Sequence, residues 1–336
     1  MINTLLICGG GGSEHDVSLR TADFIEDKLS AAEDIALLRV EMDSSGCLTD
    51  SQGRVYHIFY DRKIRDEEGN SWDVDYVIPA IHGYPGETGD LQSQLDMFGI
   101  PYFGSAPEPS KICFNKIKTK MWLSALGIEN TPYEFLHSTE VEELQKAHDA
   151  LENWGEVFVK ASNQGSSVGC FKVRDKEGLE AAIEDAFKLS PYVLIEKALK
   201  ARELEVAVYH YNDDVIATRP GEVRAPTDTF YTYKEKYAEG SRAVTFIEAA
   251  DLHEEQLQWI AEVSLRTFKA LKLKDLSRID FFLTETGELY LNEVNTFPGM
   301  TPNSMFPKMM ENHGHNFTEY LAGLIRSAVS SPNDKT

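Results

Sequence analysis

Two short segments near the C-terminus carry the residues best placed for chemistry. Arg278-Ile-Asp280-Phe-Phe-Leu and Leu289-Tyr-Leu-Asn-Glu293-Val-Asn295 read as strands joined by Thr284-Glu285-Thr286-Gly287. Strand side chains alternate faces, so Arg278 and Asp280 share one face, and Glu293 and Asn295 share one face of the partner. If the register brings those faces together, three oxygen donors converge beside one guanidinium. Two carboxylates and a carboxamide are hard donors suited to Mg²⁺, which keeps waters and phosphate oxygens as further ligands. The plainer alternative is a solvated strand face, but these charges sit among Ile, Phe, Leu and Val.

Val157-Phe-Val-Lys160 followed by Gly165-Ser166-Ser167-Val-Gly169 reads as strand, lysine, glycine-serine turn and strand. Backbone N–H groups of such a turn can cradle phosphate oxygens while the lysine adds a point charge; an ordinary hairpin turn is the alternative. It is not a Walker A loop, because no Gly-Lys-Ser or Gly-Lys-Thr occurs. The run Gly9 to Gly12 fails the G-x-G-x-x-G template, since the third glycine falls on Glu14 or His15. An acidic residue there repels a pyrophosphate, so Glu14 either complements the helix dipole or receives an ammonium group. Tyr231-Thr-Tyr-Lys-Glu-Lys236-Tyr237 suits a lid over an anionic substrate, or else a solvated loop. Asn295 to Ser304, rich in Gly, Pro, Thr and Ser, offers N–H and hydroxyl groups to an oxyanion or carboxylate. Gly165-Ser166-Ser167-Val-Gly169 has the letters of G-x-S-x-G but reads as a turn between two strands, not the strand-to-helix turn of a nucleophile elbow, and no H-E-x-x-H occurs, which disfavours triad hydrolysis and metalloprotease chemistry.

The elements that must position these groups follow from periodicity. Thr4–Cys8 is a buried strand, followed by a glycine turn and a helix on which Ser13 and Asp16 suggest a capping box. Asp75–Ile81 is a second strand, with Pro79 at its end. Asp90–Phe98 is a helix stopped by Gly99. Strands alternating with helices predict a parallel α/β unit over the first hundred or so residues. Gly104–Pro109 reads as a linker or sharp turn, and Lys111–Leu126 and Glu140–Asn153 as helices. Glu156–Lys160, Cys170–Val173, Tyr192–Glu196 and Leu204–Tyr211 read as strands. Gly221–Ala243 reads as one long surface loop, Leu257–Leu271 as a helix, and the residues after Ser327 as a frayed tail.

The 336 residues are enough for about two domains or three small ones. Apolar residues at 42% and charged residues at 26% fit a globular chain. No apolar run approaches the ~18 residues of a membrane span, and the N-terminus lacks the basic region and cleavage site of a signal peptide. Lys plus Arg is 33 and Asp plus Glu 55, a net charge of −22. Such acidity repels nucleic acid and anionic membranes, so an anionic ligand must be gripped by a few local cations. Cys8, Cys47, Cys113 and Cys170 are scattered, suggesting neither a zinc site nor a disulfide framework, and a reduced cytoplasm is the expected location.

Together these motifs resemble the D-alanine–D-alanine ligases of the ATP-grasp superfamily, from about Leu5 to about Leu324. The resemblance is carried by Gly-Gly-Ser13-Glu14-His-Asp-Val-Ser18-Leu, His82-Gly-Tyr-Pro-Gly-Glu-Thr-Gly-Asp and Gly99-Ile-Pro-Tyr-Phe-Gly-Ser105. It continues in Lys160 with Gly165–Gly169, Phe230-Tyr with Lys236-Tyr237, Arg278-Ile-Asp280, and Asn292-Glu-Val-Asn-Thr-Phe-Pro-Gly-Met-Thr301 with Ser304. It implies an α/β protein in which a Rossmann-like N-terminal domain (1–104) precedes a two-lobed ATP-grasp fold. The small lobe is 105–197, the large lobe with metal site and lid 198–330, and the tail 331–336.

The resemblance further implies that Glu14 holds the ammonium of a first D-alanine, with His82 among the substrate-binding residues. Lys116, Lys160 and Lys236 contact phosphates, and Ser166 and Ser167 belong to the nucleotide side. Glu196 and Leu199 border adenine, and Glu203 takes the ribose. Asp280, Glu293 and Asn295 hold two Mg²⁺, with Mn²⁺ as a substitute. Arg278 and the Gly299 N–H face the developing oxyanion, Ser166 and Tyr237 couple to Glu14, and Ser304 binds the second carboxylate. The implied activity is ATP-driven ligation of two D-alanines through an acyl phosphate, for peptidoglycan precursor synthesis, in a cytoplasmic homodimer without nucleic-acid or membrane partners. Ala161, Asn115 (where aspartate is common), Ala198, Ser93 and Ala249-Ala250 depart from the family's usual pattern, and none removes a metal ligand. The rival readings are a relative using D-lactate, D-serine or another amino acid, or a non-catalytic nucleotide-binding regulator. Lys236-Tyr237 favours D-alanine, because relatives that make D-lactate esters differ at the tyrosine.

Overall fold

The computed structural model describes residues 1–224 and 244–330. The first apolar run is strand β1 (Ile2–Gly9), parallel to β2 (Ile35–Met42) on one side and β7 (Tyr76–Pro79) on the other. Both faces of β1 are buried: Leu5 and Ile7 enter one core cluster, Leu6 and Cys8 another, as a covered parallel strand requires. Helices α1 (His15–Leu29) and α2 (Asp90–Phe98) belong to this unit, and Gly99 ends α2 in the left-handed region at φ 65.

Only this part of the sheet is parallel. Strands β3 (Leu48–Thr49), β4 (Val55–Phe59), β5 (Lys63–Asp66) and β6 (Ser71–Asp73) extend it as an antiparallel meander beyond β2. The all-parallel expectation is thereby corrected; strands this short carry too little periodicity to show in sequence. The capping box does not form either. Glu14 occupies the N-cap of α1 without a side-chain cap bond, and Asp16 lies in the first turn. Nor is Gly104–Pro109 a linker, because Pro107 and Pro109 lie at the start of helix α3 (Pro107–Phe114). A proline in the first turn gives up an N–H that has no helical partner. The helix expected over Lys111–Leu126 is therefore two, α3 and α4 (Lys116–Ala125), separated at Asn115. Asn115 is extended at φ −89 and ψ 105, and its Oδ1 accepts the Lys118 N–H at 2.9 Å, restarting the helix.

A second sheet is antiparallel, in the order β10-β9-β11-β8. Its strands are β8 (Tyr133–Leu136), β9 (Val157–Ala161), β10 (Cys170–Val173) and β11 (Val193–Lys197). Helices α5 (Val141–Trp154) and α6 (Lys176–Phe187) share its core.

The third sheet contains β12 (Ala201–Tyr211), β13 (Asp214–Ala217), β14 (Gly221–Arg224), β15 (Val244–Phe246), β16 (Leu276–Thr284) and β17 (Leu289–Asn295). The loop expected from Gly221 thus opens as a strand. The remainder of that stretch, 225–243, lies outside the described residues, as do 331–336 of the expected frayed tail, whereas Ala328, Val329 and Ser330 end the last helix instead of fraying. Leu204, Val206 and Val208 of β12 and Ile279, Phe281 and Leu283 of β16 pack with helix α7 (Glu254–Ala270). On the other face Ala207, Tyr209 and Leu276 join Leu6, Cys8 and Phe24 of the first unit. Helices α8 (Met305–Asn312) and α9 (Phe317–Ser330) contribute Phe306, Met310, Phe317 and Leu321 to that shared core.

Glu222 clasps β14 to β12. Its buried carboxylate accepts Arg202 Nε and Nη2 at 3.0 and 2.7 Å, and Arg224 Nε and Nη2 at 2.8 and 3.0 Å. Burial alone would raise its pKa, but the two guanidiniums win and hold it at about 2, below the usual 4.5. A depressed folded-state pKa contributes stability above the unfolded value, lost as pH falls through the folded one. Glu222→Gln should therefore melt below the wild type near neutral pH. The gap should close as pH falls from 4.5 to about 2, read by thermal melts across that range.

Candidate active site

The β16–β17 register pairs Arg278 with Asn295 and Asp280 with Glu293. All four side chains share one face, and a β-bulge decides which. Phe281 pairs with Leu291, leaving Asn292 as the extra residue of β17. Leu291 and Val294 both enter the core beneath. Without the extra residue, strict alternation would put Glu293 on the same face as Leu291; the bulge re-aims it to the cleft. Arg278 donates Nε and Nη2 to Asp280 at 2.8 and 2.7 Å, and its Nε lies 3.5 Å from Glu205 Oε1. Asn295 Nδ2 donates to Asp280 Oδ2 at 3.1 Å. Burial opposes the Arg278 charge, but Asp280 and Glu205 outweigh it, so the guanidinium stays protonated well beyond its usual range.

At the carboxyl end of β1, Gly9 and Gly10 take φ 87 and 92, and Ser18 Oγ accepts the Gly9 N–H at 2.8 Å. This turn delivers Glu14, only 7% exposed, to the cleft. The Ser166 hydroxyl donates to Glu14 Oε1, tying the glycine-serine turn of the second sheet to the first unit. A Cβ on Gly165 would stand 2.7 Å from Glu14 Oε2 and push that carboxylate aside. Ser166 and Ser167 are both left-handed, at φ 48 and 62, a conformation unusual for two successive non-glycine residues.

His82 is buried, with Nε2 2.9 Å from Thr21 Oγ1 and its ring against Phe297. Burial lowers its pKa despite the pull of Glu14. Glu87 Oε2 accepts the Gly83 N–H at 2.7 Å. Burial, and then the negative charge of Glu14, pushes the Glu87 carboxyl up to about 8.

From the second sheet, Lys160 pairs with Glu196, and Lys116 donates to the Gln164 carbonyl beside the turn. Ser304 Oγ accepts the Thr301 N–H at 3.0 Å, which folds the segment after β17 over Gly299.

These groups line two adjoining cavities. The larger, about 880 Å³, takes in Glu14, His82, Glu87, Lys116, Ser166, Arg278, Glu293, Asn295, Gly299 and Ser304. The smaller, about 250 Å³, takes in Lys160, Ser167, Glu196, Leu199, Glu203 and Asp280. Lys116, Ser166, Arg278 and Glu293 border both. Every candidate residue within the described part of the chain is thus at this cleft; Lys236 and Tyr237 lie outside the described residues. Sequence reasoning missed Glu205, which pairs in register with Asp280. The alternation Glu203, Glu205 leading into the apolar stretch of β12 was the available signal. Among the described residues no three His, Cys, Asp or Glu side chains converge as a metal cluster. The oxygen donors at the hairpin are two carboxylates and the Asn295 carboxamide, a hard set that fits Mg²⁺ shared with phosphate oxygens.

A family model described as "D-ala D-ala ligase N-terminus" matches residues 3–105, and one described as "D-ala D-ala ligase C-terminus" matches 122–326. A D-alanine–D-alanine ligase of Shewanella putrefaciens is 53% identical over 332 residues, 98% of each chain. The chain belongs to the D-alanine–D-alanine ligase family. Another D-alanine–D-alanine ligase, from Tolumonas auensis, is 53% identical over 98% of this chain and 99% of its own. The crystal structure of D-alanyl-alanine synthetase A from Vibrio cholerae superposes with a TM-score of 0.93 at 47% identity, covering 98% of both chains. A D-Ala:D-Ser ligase from Enterococcus faecalis has a TM-score of 0.83 at 28% identity, covering 97% and 98%. The architecture is the ATP-grasp fold of these ligases, so the cleft is the candidate active site of a ligase.

Gly165→Ala tests the contact between the turn and Glu14. Ligase turnover should fall at least about tenfold, the effect of ~1.4 kcal/mol. The melting temperature should stay close to wild type, since the glycine lies in a turn and not in a core. Unchanged turnover would mean that the approach is not needed.

Proposed function

We propose that the chain joins two D-alanines into D-alanyl-D-alanine in an ATP-driven reaction passing through an acyl phosphate. The observation that carries this reading is the convergence of Glu14, Ser166 and Arg278, the last held by Asp280, on one cavity in a chain of this family. Membership of an ATP-grasp ligase family implies ATP as the nucleotide. The first D-alanine carboxylate attacks the ATP γ-phosphorus, forming an acyl phosphate and releasing ADP. The second D-alanine, as the free amine, attacks the acyl carbon; the C–N bond forms and inorganic phosphate leaves.

In this reading Glu14 and His82 orient the first D-alanine, with Glu14 taking its ammonium. Ser304 takes the second carboxylate. Arg278 and the Gly299 N–H stabilise the oxyanion of the tetrahedral intermediate. Lys116 and Lys160 neutralise phosphate oxygens, Glu196 and Leu199 border adenine, and Glu203 holds the ribose. Asp280, Glu293 and Asn295 would hold two Mg²⁺, or Mn²⁺, which neutralise phosphoryl charge when bound. The remaining assignments are Ser167 to the phosphates, and Lys236 and Tyr237 to a lid that excludes water from the acyl phosphate.

The proposed division is 1–104, 105–197 and 198–330, with the cleft among the three. No helix among the described residues is long and apolar enough to cross a membrane. A cytoplasmic homodimer supplying peptidoglycan precursors, without nucleic-acid or membrane partners, completes the proposal.

Glu14→Gln separates the substrates. A charge-assisted hydrogen bond is worth about 1.5–3 kcal/mol, so the KM for the first D-alanine should rise roughly tenfold to a hundredfold. The KM for ATP should barely change. Collapse of ATP affinity instead would place Glu14 in the nucleotide site or the fold.

A further inference from the structure

Behind the smaller cavity lies a charge that the proposed chemistry does not use. Lys120 is 2% exposed and borders neither cavity. It stands one helical turn beyond Lys116 on α4, so one helix face carries Lys116 to the cleft and Lys120 into the interior behind it. Its Nζ lies 2.6 Å from Glu196 Oε1, while Glu196 Oε2 meets Lys160 Nζ. The other neighbours of the Lys120 ammonium are uncharged: it donates to the Thr131 carbonyl at 3.1 Å and to Asn130 Oδ1 at 3.5 Å, and it faces the Tyr133 ring. Burying an ammonium is costly, and a methionine of similar length would fill the same space. The charge itself therefore calls for an explanation.

We infer that Lys120 is a positioning residue that neutralises Glu196, so that Lys160 presents an uncancelled positive charge to the phosphate chain of the nucleotide. The inference rests on the nucleotide reading of the smaller cavity. One buried carboxylate between two ammoniums leaves a net charge of one, and of the two ammoniums Lys160 is the one that lines the cavity. Without Lys120, Lys160 and Glu196 form a neutral pair whose field falls off as a dipole's. In a chain of net charge −22, an anionic ligand depends on such local cations. Glu196 meanwhile fixes the Lys160 ammonium in place, which a free lysine on β9 would not achieve.

The test compares a ligand with phosphates to one without. Dissociation constants of ATP and adenosine are measured by calorimetry for the full chain and its variants. Lys120→Met should weaken ATP by about tenfold while adenosine changes little, and Lys120→Arg should preserve the wild-type ratio of the two. Lys120→Gln, which keeps a hydrogen-bond donor at this place without the charge, should lower the preference for ATP over adenosine in the same direction. Any shift of Glu196 against adenine in these variants affects both ligands alike and drops out of the ratio. This second variant keeps the test open if Lys120→Met fails to fold. Equal weakening of ATP and adenosine in Lys120→Met, or a ratio unmoved by Lys120→Gln, overturns the inference and leaves Lys120 a structural residue. Failure of the unmodified protein to bind ATP overturns the nucleotide reading itself.

Discussion

The face shared by β12, β16 and β17 has to be core at one end and charged cleft at the other. Tyr209, Ala207 and Leu276 close it against the first unit, while Glu205, Arg278 and Asp280 open it to the cavities. Strand alternation alone carries β12 and β16 across that boundary. In β17 it does not, because Leu291 and Glu293 must face opposite ways although they lie two residues apart. The bulge at Asn292 resolves the conflict. Removing that single backbone irregularity would send either a carboxylate into the core or a leucine into the cleft.

Charge follows the same economy. In so acidic a chain, cations at the cleft cannot come from a general basic surface. Arg278 is held by Asp280 and Glu205, and Lys160 by Glu196, so each cation is fixed by carboxylates drawn from its own sheet. Such pairs are no guide to stability, since desolvation offsets much of the attraction. Their value lies in holding a charge at a set point before a ligand arrives, the preorganisation on which electrostatic catalysis rests. Glu14 serves the opposite sign. It is fixed by Ser166 from another sheet, so the two units meet at a group assigned to substrate.

The charged hairpin was legible because Arg278, Asp280, Glu293 and Asn295 interrupt apolar runs at a spacing of two. Glu14 stood out because it spoils a glycine fingerprint. What stayed hidden depends on partners remote in sequence or on backbone detail. Lys120 looks like any helical lysine until Glu196, many residues away, is folded against it. The bulge leaves no residue signature, because Asn292 reads as one more strand position. Asn115 reads as helix interior until its side chain caps the next helix. The meander after β2 consists of strands too short to reveal a period, and its hairpins only become strands by pairing. Glu205 was within reach, since a second glutamate two residues after Glu203 marks the same strand face.

The most direct test of the ligase reading is the stoichiometry of the reaction. The purified chain is supplied with ATP, Mg²⁺ and, in separate reactions, D-alanine, D-serine, D-lactate with D-alanine, and L-alanine. ADP, phosphate and dipeptide are then quantified together by chromatography and mass spectrometry. The expected result is one ADP and one phosphate per D-alanyl-D-alanine, with D-alanine the preferred substrate. Release of ADP without dipeptide, or preferential formation of a product other than D-alanyl-D-alanine, would contradict it.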